Sequence, residues 1–203
     1  MAYHEAGHAI IHHVLPHCDP VHEVSIIQRG RAGGYTLSLP TEDKNYVSKA
    51  DMLDNLVSLL GGRVAEKLVL DDISTGASND IERASKIARD MVMKYGMSEK
   101  LGPISFRSED DAVFLGMSYS HSRDYSEEVA AEIDAEVKRI IGDAYTRCTN
   151  ILTENMPKLH NVANALFEKE KLNGEEFTAL FEMRTITEED APVSDETKEQ
   201  NEE

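Results

Sequence analysis

The 203-residue sequence contains no tryptophan, two cysteines and few basic residues, and these shortages exclude several classes of protein. Its 21 basic residues face 38 acidic ones, which gives a formal net charge of -17. Such a charge opposes binding to nucleic acid or to an anionic membrane surface, so we expect no nucleic-acid partner. Cys18 and Cys148 form no C-x-x-C pair. The absence of such a pair favours a reduced compartment, although one disulfide between Cys18 and Cys148 is compatible with the sequence.

The sequence also lacks a long hydrophobic run. No apolar stretch approaches the roughly 18 residues that a membrane helix needs, and no signal peptide is visible. We therefore expect this chain by itself to be soluble and to contain no membrane segment. Its length and 40% hydrophobic content predict one globular domain over residues 1–181. Residues 182–203 are acidic with few apolar side chains, which predicts a disordered tail.

The clearest motif is H-E-x-x-H at the start of the chain, formed by His4, Glu5 and His8. On a helix the two histidines project from one face about one turn apart, as two ligands of a single zinc ion must. Glu5 is turned away by about 100°. It can therefore reach the attacking water, as the general base of a metalloprotease does. The alternative is an amphipathic helix with two exposed polar residues. Gly7 favours the zinc-site interpretation, because a glycine inside a helix is better tolerated where another segment approaches closely.

A zinc site of this kind needs a third protein ligand, and the neighbouring histidines are poor candidates. His12 continues the face of the motif, but it would lie about 12 Å from His4 on a straight helix, which is too far for one ion. No further histidine follows at the spacing that a turn after the helix would require. We predict surface or structural roles for His12, His13, His17 and His22.

Two acidic residues are better candidates for the third ligand. Glu66 lies near the end of a predicted helix, and it could bind the metal or hold the ring of a ligating histidine. Asp80 lies at the start of the next predicted helix, after a small polar loop. In the alternative interpretation Asp80 only favours the helix dipole, with Ser78 or Asn79 as the N-cap. Composition does not choose between Glu66 and Asp80.

Hydrophobic periodicity predicts a mainly α fold with a small β-hairpin or sheet near the active site and a C-terminal helical bundle. The predicted helices cover about residues 2–15, 48–70, 79–95, 125–154, 159–169 and 175–181, and the predicted strands cover residues 21–28 and 34–39. One strand could be an edge strand beside the metal that binds an extended peptide through its main chain. The alternative is an ordinary hairpin that covers the core.

Five segments in the same order resemble the protease domain of the FtsH family, and the resemblance covers roughly residues 1–180. They are His4-Glu5-Ala6-Gly7-His8, Leu60-Gly61-Gly62-Arg63-Val64-Ala65-Glu66, Thr75-Gly76-Ala77-Ser78-Asn79-Asp80-Ile81, Tyr95-Gly96-Met97-Ser98 and Leu101-Gly102-Pro103. The resemblance implies a Zn²⁺ ion held by His4, His8 and Asp80. It leaves Glu66 as a residue that holds the ring of a ligating histidine.

Members of this family are membrane-anchored, ATP-dependent zinc proteases. The resemblance implies a parent protein on the cytoplasmic side of a membrane, assembled as a homo-oligomer, most simply a hexameric ring to which the C-terminal helices contribute. It also implies an AAA+ ATPase module of the same parent chain that unfolds substrates and feeds them in. Neither the G-x-x-x-x-G-K-[ST] loop of such an ATPase nor a membrane segment is in this sequence. We therefore expect an isolated peptidase domain.

The expected function is zinc-dependent endopeptidase activity on unfolded or membrane-extracted proteins, with Glu5 as the general base. No serine or cysteine nucleophile motif such as G-x-S-x-G is present. The alternative is a catalytically silent, zinc-stabilised oligomerisation module. The intact Glu5 argues against that alternative, because a structural zinc site uses four protein ligands and needs no base.

Overall fold

The structure is a computed structural model that describes residues 1–28, 33–40, 46–106 and 125–183. The described residues form six α-helices and three short strands. In chain order they are α1 (Ala2–Val14), β1 (Val21–Ser25), β2 (Tyr35–Ser38), α2 (Lys49–Leu70), α3 (Ser78–Met93), α4 (Glu127–Glu154), α5 (Met156–Lys169), β3 (Lys171–Asn173) and α6 (Gly174–Phe181), with a 3₁₀ turn at Thr75–Ala77 before α3. The predicted mainly α fold with a small sheet is confirmed.

Helix α1 lies at the centre of the domain and contacts α2, α4, α5 and the sheet. Its aliphatic side chains as far as Ile11 are almost fully buried, including Ile10, whereas Val14 at the end of the helix is exposed. The helix ends at Val14 and Leu15 is extended, as the following Pro16 predicts. Because the H-E-x-x-H motif lies on this buried helix, its polar side chains are held by the core rather than displayed on a mobile surface.

Helices α1 and α2 cross closely at glycines. A Cβ atom built on Gly7 would lie 2.7 Å from the Cβ of Ala65 and closer still to the carbonyl oxygen of Gly61. A Cβ on Gly61 would in turn meet the backbone of Gly7 at 2.9 Å. The close approach predicted for Gly7 is therefore confirmed. Gly62 leaves room for the ring of His4, whose Nε2 would be 2.5 Å from an added Cβ.

Helix α2 begins with a capping box formed by Ser48 and Asp51. The Ser48 side chain accepts a hydrogen bond from the Asp51 N–H, and the Asp51 carboxylate accepts one from the Ser48 N–H. Such reciprocal bonds satisfy two backbone donors that the first turn of a helix leaves without partners. The cap fixes where α2 starts and so places Glu66 five turns further along.

The three strands form one antiparallel sheet in the order β2-β1-β3. Strand β1 is central and β2 lies at one edge. Both are shorter than predicted, and β3 was not predicted at all. Three residues between two helices carry too little alternation to indicate a strand, and β3 forms because Leu172 is buried beside Val24 across the ladder. The sheet thus joins the C-terminal helices to the hairpin.

The C-terminal helices close the core as predicted. Helix α4 packs on α2 and α3, and α5 packs on α1. Pro157 ends the long helical run, but α5 already begins at Met156 with the proline in its first turn, where the missing N–H costs nothing. The prediction that α5 starts at Leu159 was therefore three residues late.

The start of α3 differs from the prediction. The suggested caps Ser78 and Asn79 are wrong, because α3 begins at Ser78 with Ala77 as N-cap and no side-chain cap, while Ser74 caps the preceding 3₁₀ turn.

The predicted acidic tail falls almost entirely on residues 184–203, which lie outside the described residues, as does most of the connection before α4. In the described part of the chain, no helix combines the length and apolar character that crossing a membrane requires.

Candidate metal centre and active site

The structure brings together the side chains of His4, His8 and Asp80. The two histidines lie one turn apart on α1, and Asp80 lies in the first turn of α3. The Nε2 atoms of His4 and His8 are 3.2 Å apart, and each lies 3.5 Å from Oδ2 of Asp80. Ligand atoms held about 2.0–2.2 Å from a tetrahedral zinc ion are separated by about 3.3 Å. The three atoms therefore match the spacing of one face of a zinc tetrahedron.

The hydrogen bonds of the two imidazoles explain why these nitrogens converge. Nδ1 of His8 lies 2.7 Å from the carbonyl oxygen of Ser58, and Nδ1 of His4 lies 3.2 Å from Oε1 of Glu66. Both partners are acceptors, so each Nδ1 carries a hydrogen. When such a ring carries no second proton, its Nε2 lone pair points toward Asp80. Two lone pairs and a carboxylate that face one another repel unless a cation lies between them. The residues therefore fit a metal ion.

A proton on an imidazole Nε2 can take the place of that cation, and the pKa values of His4 and Asp80 reflect such protonated states. Burial lowers the pKa of His4, but the hydrogen bond to Asp80 and the charges of Glu5 and Glu66 raise it above its ordinary value of 6.5. Burial raises the pKa of Asp80, but hydrogen bonds with His4 and His8 hold it well below 3.8. Asp80 is therefore a carboxylate at neutral pH. Because metal ligands must be deprotonated, metal binding here competes with protons on the imidazoles.

Glu5 lies beside this trio without being part of it. In the described part of the chain, only His4, His8 and Asp80 place three possible ligand atoms within 4.8 Å of one another. The Glu5 side chain is buried, and its Oε2 accepts a hydrogen bond of 3.0 Å from the Thr36 hydroxyl, which also lies 3.2 Å from the Glu5 carbonyl oxygen. Gly34 leaves room for the same carboxylate. Strand β2 thus holds Glu5 in one orientation.

Glu66 lies at Nδ1 of His4, whereas Asp80 lies at Nε2. This is the arrangement expected of a residue that orients a ligating imidazole. Glu66 is 5% exposed, and its two carboxylate oxygens accept hydrogen bonds from the backbone N–H and the hydroxyl of Ser74. With its oxygens already engaged, Glu66 is poorly placed to bind an ion between His4, His8 and Asp80.

The other histidines of the N-terminal region do not join the trio. Nδ1 of His12 lies 3.1 Å from the Asp19 carbonyl oxygen. The His13 ring packs against the rings of Phe177 and Phe181. These contacts agree with the structural roles predicted for them.

The trio opens into a cavity of about 1190 Å³. Edge strand β2 contributes Tyr35, Thr36 and Ser38 to its lining, and the turn and helix around Asp80 contribute Gly76 and Arg83. Of the two alternatives left open by the sequence, an edge strand beside the site or a hairpin that only covers the core, the position of β2 favours the first. A smaller cavity of about 430 Å³ between α2, α3 and α4 contains none of the predicted site residues.

Sequence reasoning missed Thr36, Ser58 and Ser74, each of which contacts a site residue. Thr36 and Ser74 lie 31 and 8 residues from the glutamates they contact, and serine and threonine are common in strands and turns. Ser58 acts through its backbone carbonyl, which carries no sequence signal. Only Ser74 had a local signal, since it precedes a glycine-containing turn.

Comparison with known proteins places these features in a family. The model of the family described as peptidase family M41 matches residues 1–180. ATP-dependent zinc metalloprotease FtsH 1 of Thermoanaerobacter sp. (strain X514) is 65% identical over 181 residues, which are 89% of this chain and 30% of that protein. ATP-dependent zinc metalloprotease FtsH of Caldicellulosiruptor bescii is 65% identical over 179 residues, 88% of this chain and 29% of that protein.

A third relative, ATP-dependent zinc metalloprotease FtsH 2 of Alkaliphilus metalliredigens, is 55% identical over 194 residues, which are 96% of this chain and 28% of that protein. The chain thus spans a little under a third of the length of these curated relatives.

Proposed function

The chain belongs to peptidase family M41, and from this we propose that it is the zinc-dependent endopeptidase part of a longer protein. The observation that carries the proposal is the convergence of His4 Nε2, His8 Nε2 and Asp80 Oδ2 at 3.2–3.5 Å, while both Nδ1 atoms are engaged elsewhere. The three relatives described above are named zinc metalloproteases. We assign the Zn²⁺ ligands as His4, His8 and Asp80.

The chemistry divides between the ion and the chain. Bound zinc lowers the pKa of a water molecule to about 7 and polarises the scissile carbonyl. The Glu5 carboxylate accepts a proton from the attacking water as the new C–O bond forms, and it returns that proton to the amide nitrogen as the C–N bond breaks. Thr36 holds Oε2 of Glu5 during both transfers. No serine or cysteine nucleophile is needed.

Strand β2 supplies a means of binding substrate without demanding a particular sequence. It is the edge of the sheet and lines the cavity at the trio. An extended peptide could add to this edge through main-chain hydrogen bonds, which every sequence can make. This mode suits unfolded substrates, because an unfolded chain presents extended segments with free main-chain groups.

The longer protein would supply what this chain lacks. The relatives are named ATP-dependent, and the chain covers 28–30% of their length. We assign the unfolding and feeding of substrates to an AAA+ ATPase module elsewhere in the parent, on the cytoplasmic side of a membrane. The substrates would be unfolded or membrane-extracted proteins. The assembly would be a homo-oligomer, with a hexameric ring as its expected form.

The test is hydrolysis of an unstructured fluorogenic peptide, which needs no ATPase to unfold it. We expect the zinc-loaded chain to cleave it, the chelated chain to be inactive, and added zinc to restore the rate. His8→Ala should be inactive, whereas the matched variant His12→Ala, one turn further along α1, should retain zinc and activity. Equal cleavage by the chelated and the zinc-loaded chain would disprove zinc dependence.

A further inference from the structure

The carboxylate of Glu66 accepts hydrogen bonds from a second residue, Ser74, besides its contact with His4. His4 Nδ1 lies 3.2 Å from Oε1. The Ser74 hydroxyl lies 3.1 Å from both carboxylate oxygens, and the Ser74 N–H donates to Oε2 at 3.2 Å. A buried carboxylate is costly unless such donors satisfy it. Among the described residues, Ser74 therefore supplies two of the three donors to the Glu66 carboxylate.

Ser74 also shapes the segment that leads to Asp80. Its Oγ accepts a hydrogen bond of 3.2 Å from the Gly76 N–H and so caps the 3₁₀ turn at Thr75–Ala77. Helix α3 starts directly after that turn and carries Asp80 in its first turn. One hydroxyl thus donates to the carboxylate that holds His4 and accepts from the turn that precedes Asp80.

We infer that Ser74 is a positioning residue for the metal centre, acting through Glu66, an inference that rests on the proposed zinc function. The ligands come from two segments that are far apart in sequence, because His4 lies on α1 and Asp80 lies on α3. Glu66 on α2 holds the first, and Ser74 ties the second segment to Glu66. Without the Ser74 hydroxyl, the Glu66 carboxylate loses a donor and the His4 ring is less firmly oriented.

A simpler role for Ser74 would be to cap the 3₁₀ turn alone, and the two roles make different predictions. Aspartate is as good an N-cap as serine, so a capping role tolerates Ser74→Asp. A positioning role does not, because a second carboxylate would face Glu66 without donating a hydrogen bond. The roles also differ when Glu66 is changed, because only the positioning role needs the Glu66 carboxylate.

The experiment is a zinc affinity measurement by competition with a chromogenic chelator, which needs no enzymatic activity. Loss of a residue that orients a metal ligand typically lowers metal affinity 10–100-fold. Ser74 is one contact further from the ligands than Glu66 is. We therefore expect Ser74→Ala to weaken zinc binding by about tenfold. Ser74→Thr should restore affinity to within about twofold of the unchanged chain. Ser74→Asp should bind at least as weakly as Ser74→Ala. Ser85→Ala on α3 is the matched control, since the Ser85 hydroxyl donates to the Ile81 carbonyl of its own helix and to no metal-site residue among those that the structure describes.

The decisive comparison repeats Ser74→Ala in a Glu66→Gln background. If Ser74 acts through Glu66, the second substitution should then change zinc affinity by less than about twofold, because the two residues belong to one network. An undiminished tenfold loss in that background, or full affinity for Ser74→Asp, would show that Ser74 only caps the turn. Unchanged affinity of Ser74→Ala would exclude any role. If loss of the helical circular dichroism signal shows that Ser74→Ala is unfolded, the zinc affinities of Ser74→Thr and Ser74→Asp distinguish the two roles without it. Failure of the unchanged chain to bind zinc would instead overturn the proposed function.

Discussion

Glu5→Gln is expected to abolish peptide hydrolysis and to leave zinc binding intact. Glutamine keeps the size of the side chain and can still contact the Thr36 hydroxyl, but it cannot accept a proton from water. Loss of a general base typically costs 10²–10⁴-fold in rate. Because Glu5 lies outside the trio of ligand atoms, about one zinc per chain should remain. The measurement is zinc content together with peptide cleavage on the same samples.

The matched control is Glu168→Gln, an exposed glutamate on α5, which should behave as the unchanged chain. Full activity of Glu5→Gln would exclude Glu5 as the base. Loss of zinc together with activity would show that Glu5 helps to hold the metal, contrary to its position beside Thr36.

The second large effect is expected for Asp80→Asn, which should weaken zinc binding by more than about a hundredfold. The estimate follows because loss of a residue that only orients a ligand already costs 10–100-fold, and a direct ligand should cost more. The asparagine amide is neutral and is a poorer zinc ligand than the aspartate carboxylate. The substitution therefore removes the negative charge beside the two Nε2 atoms that helps to hold the cation. Glu66→Gln should fall within the smaller range. Chelator competition measures both affinities.

Asp90→Asn, later on the same helix as Asp80, serves as the control and should bind zinc normally. Undiminished zinc affinity in Asp80→Asn, together with loss in Glu66→Gln, would transfer the ligand role to Glu66. Equal losses in both variants would mean that the carboxylates share the ion.

The parts of the site that depend on one helix could be predicted from the sequence. His4, Glu5 and His8 have fixed directions once α1 is helical, and a helical Gly7 predicts a close neighbour. That neighbour proved to be Gly61 of α2. These features follow from the helical period and from sterics, which need no knowledge of the rest of the fold.

The parts of the site that join several segments could not be predicted in the same way. Residue spacing left Glu66 and Asp80 as equal candidates, because the choice depends on which ring nitrogen each carboxylate faces. Family resemblance selected Asp80, and the structure places Asp80 at Nε2 and Glu66 at Nδ1 of His4. The contact of Thr36 with Glu5 depends on how the sheet packs on α1, and no local pattern encodes that packing.

X-ray absorption spectroscopy of the zinc-loaded chain tests the assigned ligands most directly, because it separates sulfur ligands from nitrogen or oxygen ligands and shows how many imidazoles are bound. We predict two imidazole nitrogens at about 2.0–2.1 Å with the remaining positions filled by oxygen, as in a catalytic site with three protein ligands. A sulfur ligand at about 2.3 Å, or more than two imidazoles, would contradict the assignment of His4, His8 and Asp80. Four such protein ligands would indicate a structural zinc site in a catalytically silent module.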